Sequence, residues 1–151
     1  MRHLGYILGL VLIGCTNNTQ SDYLAVSISE EKIIQEHPGK RLMETYCYAC
    51  HTPETEMENR LAPPMIAVKR HYISEGTTKE EFQKEMLNWM NNPTEANSKM
   101  PGAIRRFGVM PNQKFSEDII NSISEYIFEN EIEEPIWFED HFQKRKGRGN
   151  H

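Results

Sequence analysis

Three residues able to do chemistry stand within five positions of one another: Cys47, Cys50 and His51, in "TYCYACHTPE" at Thr45 to Glu54. Two thiols separated by two residues, with an imidazole directly after the second, can hold a zinc ion, form a redox disulfide or attach a porphyrin. A structural zinc site needs four ligands, so this half-site wants a second cysteine or histidine pair elsewhere. The rest of the chain offers no such pair, only scattered histidines such as His37, His71 and His141. A thioredoxin-like redox pair needs a strand before it and a βαβ context after it, and no such pattern surrounds the motif. What remains is Cys-x-x-Cys-His, the attachment signature for c-type haem.

The spacing suits that chemistry. On a helical turn, positions 47 and 50 point to the same side, so both thiols can add across the vinyl groups of one porphyrin. His51 follows closely enough for its imidazole to reach the iron. One covalently held haem c then becomes the centre of a core that so short a chain could not otherwise fill.

A second axial ligand must come from downstream, where the methionines are the candidates; the chain has eight. Met43 belongs to the helix before the motif, and Met86 and Met90 lie four apart on an apolar helical face, the pattern of core filler. Met100 and Met110 differ. In "SKMPGAIRRFGVMPNQKFSEDI" each precedes a proline, in a stretch expected as a Gly-containing loop that stops short of a helix. Proline fixes the local backbone and helps hold a thioether over the iron.

The elements that position these residues are helical. Thr78 is placed to cap a helix running to about Asn91, with Phe82, Met86, Trp89 and Met90 inward and Pro93 beyond its end. Ser116 is placed to cap another, with Glu117 and Asp118 favouring the positive end of its dipole. Ile119, Ile120, Ile123, Tyr126 and Ile127 then form one apolar face. No segment alternates apolar and polar residues cleanly, so the fold class is all-α. Gly39, without a side chain, lets the first and last of these helices cross closely. From Met110 six residues reach the Ser116 cap, whereas from Met100 the loop would be sixteen, longer than compact connections usually run. Met110 is therefore the expected ligand and Met100 the alternative.

From about Pro38 to Asn130 the chain resembles the class I c-type cytochromes, single-haem helical electron carriers. "GKRLMETYCYACH" at Gly39 to His51 looks like their first helix. "APPM" at Ala62 to Met65 is similar to their Gly-Pro-x-Leu segment, whose proline carbonyl accepts a hydrogen bond from the proximal histidine; Pro63 is the matching position. "MPNQKFSEDIINSISEYIFEN" resembles their Met-Pro loop and terminal helix, with Tyr126 presenting an aromatic to the first helix. The resemblance implies a bundle of helices around one covalent haem, His51 and Met110 on the iron, and single-electron transfer between respiratory-chain or dehydrogenase partners rather than enzymatic turnover. The alternative is a haem protein that binds a small gas or reduces peroxide at a weakly ligated iron.

Lesser candidates follow. Trp89 suits a hydrogen bond to a haem propionate and core packing equally well. Tyr46 and Tyr48 flank the cysteines as shields. His71, between Arg70 and Tyr72 and near Lys69, is expected to be solvated. Lys99, Arg105, Arg106 and Lys114 are expected around the methionine loop, with no acid between the two lysines, whereas Ser116 to Gln143 holds nine carboxylates and no Lys or Arg. Such a dipole would draw acidic docking patches of redox partners to the basic end.

The chain has 151 residues, 38% hydrophobic, with a net charge of -5, which suits one small domain and gives no basic excess for nucleic acid. Arg2 and His3, the apolar run Leu4 to Ile13 and "LIGC" at Leu12 to Cys15 have the order of an export signal. The tetrapeptide resembles a bacterial lipobox, which implies a lipid on Cys15 and a tether to the periplasmic side of a bacterial membrane. The expected division is 1–14 signal peptide, 15–37 tether, 38–134 haem domain and 135–151 C-terminal extension ending in the basic, unstructured "FQKRKGRGN".

Overall fold

The computed structural model describes residues 36–148, and all their regular structure is helical, as the patterning predicts. The expected signal peptide, Cys15 and nearly all of the tether lie outside these residues. The first helix, α1 (Pro38–Tyr46), starts where Pro38 supplies a pre-set φ and the His37 ring accepts the Gly39 N–H at 3.0 Å. It runs into a single turn, α2 (Tyr48–His51), and two prolines then lead into α3 (Met65–Tyr72). Next come α4 (Lys79–Asn91), α5 (Pro101–Phe107), α6 (Glu117–Glu129) and α7 (Phe138–Arg148).

At the start of α4, Thr78 and Glu81 close a reciprocal capping box: the Thr78 hydroxyl accepts from the Glu81 N–H at 3.2 Å, and the Glu81 carboxylate accepts from the Thr78 N–H at 3.0 Å. Thr78→Ala is expected to cost about 1 kcal/mol. Urea unfolding checks this, and an unmoved midpoint would show the box to be dispensable. Ser116 occupies the cap position of α6, but its hydroxyl makes no capping bond, so that helix begins on its two first-turn carboxylates alone.

Helix α6 lies against both α1 and α4 and supplies the centre of the core. Met43, Phe82 and Ile127 are completely buried there, and the buried Ser124 satisfies its hydroxyl on the Ile120 carbonyl at 2.7 Å. Gly39 is where α1 and α6 cross: a Cβ built on it would lie 2.0 Å from the Ser122 carbonyl oxygen and 2.8 Å from the Cβ of Tyr126.

Two segments depart from expectation. Residues 101–107, expected as loop, form α5, with Pro101 at its first position and Gly108 ending it at a φ of 78°. The basic tail, expected to be unstructured from Phe142, continues α7 to Arg148. Glu139 and Asp140 sit in the first turn of that helix and its Lys and Arg residues towards the end, the order its dipole favours. Phe138, at the start of α7, is 3% exposed and belongs to the core.

Candidate functional site

Cys47 ends α1 and begins α2, and its carbonyl accepts the N–H groups of both Cys50, at 3.1 Å, and His51, at 2.9 Å. The motif therefore occupies one helical turn, with Cys47 half-buried, Cys50 exposed and no disulfide between them. Burial pushes the Cys47 thiol up to about 11, so it stays protonated near neutral pH. Redox dithiols work through a depressed thiol pKa, the opposite of the direction in which burial moves Cys47. Among the described residues, no three His, Cys, Asp or Glu side chains gather to hold a metal ion.

The His51 ring is held by the chain twelve residues on: its Nδ1 lies 2.6 Å from the Pro63 carbonyl oxygen. A carbonyl can only accept, so Nδ1 carries the proton and Nε2 keeps a free lone pair. Burial, chiefly, and the nearby Arg60 charge lower the pKa of His51, against the opposing pull of the Pro63 bond. A neutral imidazole with one nitrogen anchored and the other available is what metal coordination requires.

The loop between His51 and Pro63 is fastened by Arg60. Its guanidinium donates to the carbonyls of Ala62 at 3.1 Å, Thr55 at 2.6 Å and Thr52, and it lies over the Trp137 ring, 5.4 Å from its centre. The Trp137 indole N–H donates to the same Thr55 carbonyl at 3.4 Å. Neither residue is legible as part of the site in the sequence, because an arginine that binds backbone carbonyls has no partner visible there.

One cavity of about 280 Å³ collects the expected residues. Cys47, Cys50, His51 and Pro63 line it, and so do Trp89, Met100 and Met110. Its other walls are largely apolar, from Met65, Val68, Tyr72, Met86 and Phe115 among others. Both candidate methionines reach it, but they differ in setting. Met100 is 9% exposed, packs in the core and caps α5, with its N–H held by the Ser98 hydroxyl at 3.0 Å. Met110 is half-buried, in the stretch without regular structure between Gly108 and Ser116. Helix α5 occupies residues 101–107 of the stretch from Met100 to Ser116, so loop length does not count against Met100.

Trp89 is half-buried on the cavity wall. The tyrosines separate. Tyr46 lines the cavity, 42% exposed and 5.2 Å from the Phe115 ring, while Tyr48 turns away to donate its hydroxyl to Glu133 at 2.8 Å. With Tyr46, the exposed Leu61 and Val109 give the cavity an apolar rim. Compared with protein-family models, curated proteins and solved structures, the chain matches none.

The basic residues are not all where the sequence suggests. Lys99 pairs with Glu85 at 2.9 Å and sits over the Tyr72 ring. Arg105 and Arg106 line a second cavity between α3, α5 and α7 rather than the first. His71 is exposed, with Nδ1 2.7 Å from the Ala67 carbonyl oxygen, and borders that second cavity.

Proposed function

We propose that the chain is a monohaem c-type cytochrome that passes single electrons between redox proteins, tethered by a lipid on Cys15 to the periplasmic side of a bacterial membrane. The observation that carries this reading is the convergence of two thiols, a carbonyl-anchored imidazole and a methionine on one apolar cavity. The donor set fits a covalent haem: the Cys47 and Cys50 thiols on one turn would hold the porphyrin, and the His51 nitrogen and the Met110 thioether would hold its iron.

The bound group supplies reversible one-electron exchange at its iron. The protein's part is to hold and tune it. Cys47 and Cys50 fix the porphyrin edge from one helical turn. Pro63 accepts the Nδ1 proton of His51, which fixes the tautomer and raises the basicity of Nε2. Met110 would hold the group by its thioether and favour the reduced state, and the apolar walls would exclude water and favour the less charged form of the site. With His51 and Met110 both holding the group, these residues would leave no place for a substrate at it. Met110 is favoured over Met100 because Met100 is already committed to the core and to the start of α5.

Leucine substitutions test the assignment, since they remove the thioether while conserving apolar volume and fold. Met110→Leu is expected to abolish the optical band of methionine-ligated ferric haem, lower the reduction potential and let the ferrous protein bind carbon monoxide. Met100→Leu is expected to leave all three near the parent's. An exchange of these phenotypes would move the ligand to Met100. Rapid carbon monoxide binding by the unmodified ferrous protein would replace the carrier by a gas- or peroxide-reactive haem protein.

A further inference from the structure

The second cavity, of about 610 Å³, lies within the roughly 300–1,000 Å³ range of small-molecule sites. It is bounded by Arg70 of α3, Arg105 and Arg106 of α5 and Arg145 of α7, with Arg60 on its inner wall. Among the described residues no carboxylate lines it, and only Arg70 has an ion-pair partner, Glu139 at 3.3 Å. Arg60 is only 7% exposed, and its bonds run to neutral carbonyls, so its charge is buried without a counter-charge. Arginine is almost never buried unless paired. The positive field reaches His141 on the same wall, whose pKa is lowered by burial and then by Arg145, Arg106 and Lys144.

Aromatic rings complete the walls. Trp137, Phe138 and Phe142 line the cavity from the C-terminal segment, and Phe107 from α5. Arg70 and Arg106 lie over Phe142 and Phe107, 5.5 and 5.1 Å from the ring centres, which holds the guanidinium planes; Arg70 also donates to Glu139 and Arg106 to the Met57 carbonyl, each from one terminal nitrogen, leaving their other N–H groups for a ligand. Gly102 leaves room for Arg145, since a Cβ there would lie 3.1 Å from the guanidinium. We infer that this cavity binds a small amphipathic anion, a phosphate or carboxylate taken by the arginine forks on an apolar body seated among the aromatic rings. The inference needs no haem and stands apart from the reading of the first cavity.

The two tryptophans provide the readout, because Trp137 lines this cavity and Trp89 the other. In nitrogen–proton correlation spectra of the purified, reduced protein, phenyl phosphate is expected to shift the Trp137 indole resonance saturably and leave Trp89 in place; Trp137→Phe assigns the peak. Inorganic phosphate and benzyl alcohol, each holding half the chemistry, are expected to bind about tenfold more weakly. Arg145→Gln and Arg105→Gln are each expected to weaken phenyl phosphate by about tenfold, a charge-assisted bond apiece. Tighter binding of dihexanoyl phosphatidylglycerol than of phenyl phosphate would place the acid on a lipid, and the reverse would place it on a free molecule. No saturable shift with either, equal shifts of both indoles, or unchanged affinity in both arginine variants would overturn the inference.

Discussion

Gly39→Ala is expected to destabilise the protein by about 3 kcal/mol or more, the cost of forcing atoms into a filled contact. The added methyl would lie 2.0 Å from the Ser122 carbonyl oxygen and 2.8 Å from its carbon, both backbone atoms of α6 that no rotamer change can move. The helices would have to separate, and α1 carries Cys47 at its end. Gly102→Ala is the control: its new methyl meets only the flexible end of Arg145, and alanine favours a helix, so its effect is expected to stay within about 1 kcal/mol of neutral. Urea unfolding of both variants checks this, and equal losses would refute the crossing-point account.

How far the sequence discloses the molecule depends on the range of each signal. Helix α4 is legible because its start, face and end are local: Thr78 caps it, Phe82 and Met86 repeat at four-residue spacing and are buried, and Pro93 follows. Helix α6 is legible for the same reason, although the Ser116 hydroxyl does not make the capping bond its position suggests. Helix α5 carries proper signals too, Pro101 at its start and Gly108 after its end, but both are also turn residues, and seven residues are too few for periodicity to decide. Helix α7 is hidden by its charge, while the aromatic face of Phe138 and Phe142 that seats it is only two residues long.

The candidate site divides in the same way. Cys47, Cys50 and His51 lie within five positions, so their chemistry is readable directly. Pro63 is reached through family resemblance and stands 2.6 Å from His51 Nδ1. Arg60 and Trp137 cannot be reached at all, because they act on carbonyls whose positions the tertiary fold sets. The arginines of the second cavity are visible as charges, but their meeting depends on α5 and α7, the two helices the sequence conceals.

The Cys47→Ala, Cys50→Ala double variant is expected to lose the haem altogether on purification, the largest functional effect proposed. His51 would remain as a ligand, but a single imidazole bond does not replace two covalent links. With the haem gone, an apolar cavity of about 280 Å³ would stand without its main filling, so stability should fall as well, by several kcal/mol at the usual scale of cavity costs. Each single variant should keep haem through one thioether, at lower yield.

The most direct measurement is acid–acetone extraction of the unmodified protein, purified from cells able to attach haem, followed by its intact mass. Two thioether links leave no route for the porphyrin into the organic phase. The colour is expected to stay with the polypeptide, and the mass to exceed the chain's own by one haem. Haem that passes wholly into the acetone, leaving a colourless chain of unmodified mass, would contradict covalent attachment.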